Sequence, residues 1–103
     1  HDDEEEHEHD DFDTFTLDVA SALEPALIVE RVKLALGDMG VLRIKGVAEI
    51  EGKPARLVIQ GVGERVDHYY DRPWETGENR ASQLVVIGLQ GFDRAAVEAR
   101  LLK

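Results

Sequence analysis

Residues 41–61 run VLRIKGVAEIEGKPARLVIQG. In the first half Leu42, Ile44, Ala48 and Ile50 share one parity with Gly46, while Arg43, Lys45 and Glu49 take the other. A half-buried strand requires this period of two, because successive side chains leave opposite faces of a sheet. Gly52-Lys53-Pro54 then turns the chain, and the apolar stretch after it runs back, so the two halves read as a hairpin. The expected arms are Val41–Glu51 and a long Arg56–Tyr70. The second arm slips in its alternation: Leu57 and Ile59 are of one parity, Val62 and Val66 of the other. Gly61 and Gly63 sit at the slip, where a bulge or bend in one strand would re-aim the side chains.

Upstream, Phe15, Leu17 and Val19 alternate with Thr14, Thr16 and Asp18, which predicts a strand. Ser21–Asp38 reads as a helix. Pro25 suits its first position, where a missing N–H costs nothing, and Glu24 lies at the positive end of the dipole. Ile28, Val32, Ala35 and Leu36 fall on one face of a 3.6-residue period. Gly37 and Gly40 offer left-handed exits. Downstream, Asp71–Ser82 is polar and turn-rich, hence a loop, and Gln83–Leu89 is a compact apolar run, hence an interior strand. Asp93 is the expected N-cap of a last helix, with Phe92 stapled onto Val97 and with Leu101 and Leu102 on its apolar face. The order is β-α-β-β-β-α. The fold class is α+β, a two-layer sandwich with a small mixed sheet and both helices on one face.

The chain has 103 residues, enough for one domain, and opens with His1 rather than Met, as a piece of a longer protein would. There is no cysteine, so disulfides, thiolate metal sites and thiol nucleophiles are excluded. No apolar run approaches the roughly 20 residues of a membrane span, and no signal segment opens the chain. A soluble, cytoplasmic domain is expected. Of the net charge of −10, nine acids lie in residues 1–13 without any Lys or Arg, which leaves −1 for Thr14–Lys103. Residues 1–11 are therefore expected to be a disordered acidic linker, with residues 12–103 forming the domain. The acidity repels phosphate backbones and anionic lipid, which argues against nucleic acid and membrane as partners and favours cations.

Catalytic chemistry is poorly provided for. No GxxxxGK[ST] loop is present, and Gly61-Val62-Gly63 lacks a following helix, so it presents no ring of N–H groups to a phosphate. His68, Ser21 and Ser82 stand in no motif, and His68 reads as a surface or packing histidine. In the leader, His1, His7 and His9 stand among carboxylates, and Glu8 and Asp10 can complete a shell for a divalent metal. In an extended chain His7 and His9 point to the same side, about 6–7 Å apart. Such a site would be weak and exchangeable; the competing reading is a solvated linker with incidental histidines. The only tryptophan, Trp74, follows Arg72 in a loop that also carries Arg80. It is either an interface anchor or a cover on the open end of the core, with an arginine stacked on the indole. Arg43 and Lys45 on the polar face of their strand are either solvated or a contact surface for a sister domain.

Val41-Leu42-Arg43-Ile44-Lys45-Gly46, Gln60-Gly61-Val62-Gly63, Tyr69-Tyr70-Asp71-Arg72-Pro73-Trp74 with Arg80, Gln83-Leu84-Val85-Val86-Ile87-Gly88 and Phe92-Asp93-Arg94 together resemble the C-terminal domain of CobW-type proteins. The similarity runs from about Phe15 to Leu102, and its specificity lies in the series rather than in any one piece. The resemblance implies a parent GTPase whose N-terminal domain holds the GTP and magnesium site and a cysteine-based metal site, neither of which lies in this chain. It further implies a histidine- and acid-rich linker of the kind seen in residues 1–11, and delivery of metal to a client such as a cobalt-inserting enzyme. The Arg72-Pro73-Trp74 loop leans towards the cobalamin-synthesis branch, with cobalt as cargo, over the zinc-linked relatives. No catalytic or cofactor-binding residue carries over, so the fragment itself is expected not to be an enzyme. A pure interaction module with a merely solvating leader is the alternative of another class, and a free-standing enzyme the least favoured.

Overall fold

The structure, a computed structural model, describes residues 11–102. The elements in chain order are β1 (Phe12–Val19), α1 (Pro25–Leu36), β2 (Val41–Ala48), β3 (Ala55–Val62), β4 (Arg65–Pro73), β5 (Ser82–Leu89) and α2 (Arg94–Leu102). The strands form one sheet in the order β1-β5-β2-β3-β4, every neighbouring pair antiparallel. This is the expected α+β class. Two details of the expected architecture are corrected: there are five strands rather than four, and the sheet is antiparallel rather than mixed.

The extra strand comes from the stretch expected to run unbroken from Arg56 to Tyr70. The chain instead reverses after Val62, which pairs with Arg65 across a two-residue loop, Gly63-Glu64. Gly63 has φ +62 and no non-glycine residue among those described has positive φ, so only the first central residue is left-handed. That is the demand of a type II′ hairpin, which matches the twist of the flanking strands. The parity slip follows from the reversal. Gly61 faces Val66 across the loop, so the core-facing set passes from Leu57, Ile59 and Gly61 to Val66.

α1 is shorter than the expected Ser21–Asp38. Ala22 is used as a strand residue instead: its N–H donates to the Glu49 carbonyl, and the Glu51 N–H donates to its carbonyl. Glu24, ahead of Pro25, is extended, as the pyrrolidine ring of a following proline dictates. The face expected to be buried on α1 is the one observed: Ile28, Val32, Ala35 and Leu36. At the far end Gly37 remains right-handed, and Gly40 alone takes a left-handed backbone, φ +88. Leu42, expected on the core face of β2, is exposed. A register shift between Val41 and Arg43 gives the core position to Val41 instead.

The helices lie on one side of the sheet, and Ile28, Val32, Ile44, Leu57, Ile59, Leu84, Val86, Val97 and Leu101 form a single buried cluster between the layers. At roughly 1.5–3 kcal/mol for each large aliphatic side chain buried, this cluster is the main term that holds the layers together. Asp93 caps α2 as expected, its carboxylate accepting from the Ala96 N–H at 3.1 Å. Phe92 packs beside the core with its ring 5.9 Å from that of Phe15, and the Arg94 guanidinium lies 4.5 Å from the Phe15 ring centroid.

Candidate functional site

The helix-free face of the sheet is built from the residues that alternate with the core set. The strand registers line them up in cross-strand rows. One row is Asp18, Gln83, Val47, Val58 and Tyr69; the next is Thr16, Val85, Lys45, Gln60 and Asp67; a third is Thr14, Ile87, Arg43, Val62 and Arg65. The Gln83 amide donates to the Asp18 carboxylate at 3.0 Å, as neighbours in a row should. At the centre is a shallow basin of about 300 Å³ with Val47, Val58 and Val85 in its floor and Lys45, Arg56, Gln60 and Gln83 around it.

Charge on this face is mostly accounted for locally. Arg56 forms a forked pair with Asp71 at 2.7–3.0 Å, and Arg65 pairs with Asp67 at 3.1 Å. Asp71 is the residue squeezed out at the register shift between Arg56 and Leu57, which frees its side chain for the guanidinium. The hydrogen bond from Arg56 is the main cause that holds the Asp71 carboxyl below its usual range, and the same bond raises Arg56. Arg43 and Lys45, on the third strand in from either edge, have no ion-pair partner within 4 Å among the described residues. The face thus presents two uncompensated cations beside half-buried valines.

The structure separates the expected contact residues into two groups. Arg43 and Lys45 lie on the open face. Arg72 lies near the end of β4, a stretch expected to be loop, and Trp74 and Arg80 belong to the loop that follows it. Arg72 grips Glu78 through two parallel bonds of 2.9 Å, and Glu78 also accepts from the Glu75 N–H. These bonds, Arg72 first, pull the Glu78 carboxyl down to about 2 from an ordinary 4.5. Arg80 is directed to Glu49, 3.8 Å away. Among the described residues neither arginine stacks on the indole, as the covering alternative had it; both are turned to carboxylates. Trp74 is 8% exposed, with its backbone N–H on the Pro54 carbonyl at 2.9 Å and its Nε1 without a partner. His68 is exposed on β4, opposite Ile59.

The expected metal ligands His1, His7, Glu8, His9 and Asp10 lie outside the described residues. Among the described residues no three His, Cys, Asp or Glu side chains gather as a metal site would require, and no helix is long and apolar enough to cross a membrane. Sequence reasoning named Arg43 and Lys45 but not the valine floor beside them. Its signal was available in the parity of Val47, Val58 and Val85 opposite the core residues.

Comparisons with known proteins agree with this architecture. The family model described as "Cobalamin synthesis protein cobW C-terminal domain" matches residues 12–103. A Sinorhizobium protein named zinc chaperone CobW is 50% identical over 97 residues, covering 94% of this chain and 27% of that protein. The zinc chaperone CobW of Pseudomonas aeruginosa is 46% identical over 92 residues, covering 85% of this chain and 23% of its own length. The crystal structure of Zn(II)-bound YjiA GTPase from Escherichia coli superposes with a TM-score of 0.70 at 26% identity, over 87% of this chain and 28% of that one. The chain spans about a quarter of the length of the curated relatives it matches. With the two-layer fold and the family match over residues 12–103 in agreement, the chain belongs to the CobW C-terminal domain family.

Proposed function

We propose that this chain is the accessory C-terminal domain of a GTP-dependent metal chaperone, and that its helix-free sheet face docks on the GTPase part of the same protein. The observation that carries the docking is the composition of that face. An antiparallel sheet that meets water on one side alternates apolar-in with polar-out. Here Val47, Val58, Val85 and Ile87 are half-buried on the outer side, around two cations with no ion-pair partner among the described residues. An anionic surface with an apolar centre is its complement. The whole protein is expected in the cytoplasm, where GTP is. In the full-length chaperone, Arg43→Glu with Lys45→Glu is expected to loosen the two parts, seen as a larger radius of gyration by X-ray scattering and a changed rate of GTP hydrolysis. An unchanged scattering profile and an unchanged rate together would reject the docking.

The cargo reading is zinc first. The relatives are named zinc chaperones, which weighs against the lean towards cobalt that the Arg72-Pro73-Trp74 loop suggests. The cobalamin wording of the family description keeps cobalt, and a cobalt-inserting client, as the second reading. His1, His7 and His9, with Glu8 and Asp10, are the proposed collecting ligands, binding weakly enough to pass the ion on. Calorimetric titration of Zn(II), and separately Co(II), into the 103-residue chain should show heat that disappears when His1, His7 and His9 are replaced by alanine. Equal heats from the two chains would remove the metal role of the leader and leave the domain assignment intact.

A further inference from the structure

The side of the molecule opposite the sheet face carries a second unexplained surface. Between α1 and α2 runs an open groove of about 600 Å³ lined by Leu27, Glu30, Arg31, Leu34, Ala96, Ala99 and Arg100. Ala96 and Ala99 are short, so α2 leaves room there, and Leu27 and Leu34 are 41% and 52% exposed. Both leucines stand outside the buried core cluster, on the outer stripe of α1. Of the charges lining the groove, Arg100 is engaged with Asp38 at 3.0 Å. Glu30 and Arg31 have no ion-pair partner among the described residues.

Leu27, Glu30, Arg31 and Leu34 fall within about 100° of arc on α1, on one stripe away from the core face, and the leucines are about 10 Å apart along the axis. Their order is a chemical palindrome: Leu, then Glu, Arg, then Leu, symmetric about the midpoint between residues 30 and 31 with the charges exchanged. An isologous two-fold contact needs this pattern, because whatever residue i offers must be answered by residue j of the other copy and the reverse. With the axis passing between Glu30 and Arg31, two antiparallel α1 helices set Leu27 against Leu34 of the second copy and Glu30 against Arg31 of the second copy, each contact made twice. The antiparallel arrangement also opposes the two helix dipoles favourably. We propose that the helix layer is a homodimer interface in which α1 pairs with α1 of a second copy about this axis. The patch is small beside the roughly 800 Å² per partner of a standard interface, so the dimer is weak and reversible.

Sedimentation equilibrium on the 103-residue chain up to about 1 mM should show dimerisation, and the single reversals Glu30→Arg and Arg31→Glu should each weaken it about tenfold or more. Each reversal converts both ion pairs to repulsions, whereas an equimolar mixture of the two variants restores both pairs in a heterodimer. Recovery on mixing, with circular dichroism unchanged, is the expected result. A chain monomeric at the highest concentration, a dimer indifferent to the reversals, or no recovery on mixing would each overturn the proposal; the first would leave the groove to a different partner. Since the chain has no cysteine, a mixture of Glu30→Cys and Arg31→Cys chains gives a covalent check on the same pairing. Oxidation should yield the mixed disulfide dimer, and its absence counts against the axis.

Discussion

Gly46→Ala is expected to lower the melting temperature of the domain by roughly 15–20 °C, the largest effect of any single methyl addition in the sheet. A Cβ at Gly46 would stand 2.1 Å from the Gln83 carbonyl oxygen, 2.9 Å from the Leu84 Cα and 3.0 Å from the Gln83 carbonyl carbon. All three are backbone atoms of β5, and β5 is held by β1 on its other side, so no rotamer can relieve the contact. Overpacking against side chains typically costs 1–3 kcal/mol, and a clash with fixed backbone belongs at the top of that range, about 3 kcal/mol. That is a large part of the roughly 5–15 kcal/mol by which a domain is stable. Gly61→Ala is the control, because its added carbon meets the ends of Leu36 and Val32, side chains that can shift. The melting order should be the natural chain first, Gly61→Ala next and Gly46→Ala last. A Gly46→Ala domain melting within a few degrees of the natural one would mean that β2 and β5 are not in the register described. The consequence reaches the open face, because the same strand pair carries Lys45 and Val85 to neighbouring positions on it.

Gly46 also shows what a sequence can and cannot reveal. Its parity with Ile44 and Ala48 was legible, so its place on the core face was expected. The close approach of β5 was not, because nothing in a local pattern says which distant strand comes alongside. The same distinction runs through the domain. The buried face of α1 and the Asp93 cap rest on local periodicity and chemistry, and both hold. The hairpin at Gly63-Glu64 was missed because a parity slip has two local explanations, a bulge or a reversal, and only the pairing of Gly61 with Val66 decides between them. At the candidate site, Arg43 and Lys45 could be placed on an outer face from alternation alone. The Arg65–Asp67 pair, two residues apart on β4, is local, but that Arg56 meets Asp71 through a bulge while Arg43 and Lys45 have no carboxylate partner among the described residues depends on strand pairing no linear reading supplies.

Trp74→Ala should cost about 3 kcal/mol of stability, while Trp74→Phe should be close to neutral. The indole is buried, but it stands apart from the continuous core cluster, which suggests a cost at the lower end of the range for removing a buried aromatic. Its Nε1–H has no hydrogen-bond partner among the described residues, so phenylalanine loses some volume but leaves no acceptor stranded there. The loop around it is held by Arg72 on Glu78, by Glu78 on the Glu75 N–H and by the Trp74 N–H on Pro54, none of which passes through the ring. The loop should therefore keep its local bonds while the end of the β3–β4 pair loosens. This pattern separates a covering role from an interface role. An anchor that met a partner through its ring would give a Trp74→Ala chain of natural stability that no longer binds, and a Trp74→Phe chain weakened in binding alone. Denaturant unfolding of the three chains decides between them. A Trp74→Ala midpoint equal to that of the natural chain would overturn the covering role, and would return Trp74 and its loop, at the end of β3–β4 away from Arg43, to the surfaces available to a client.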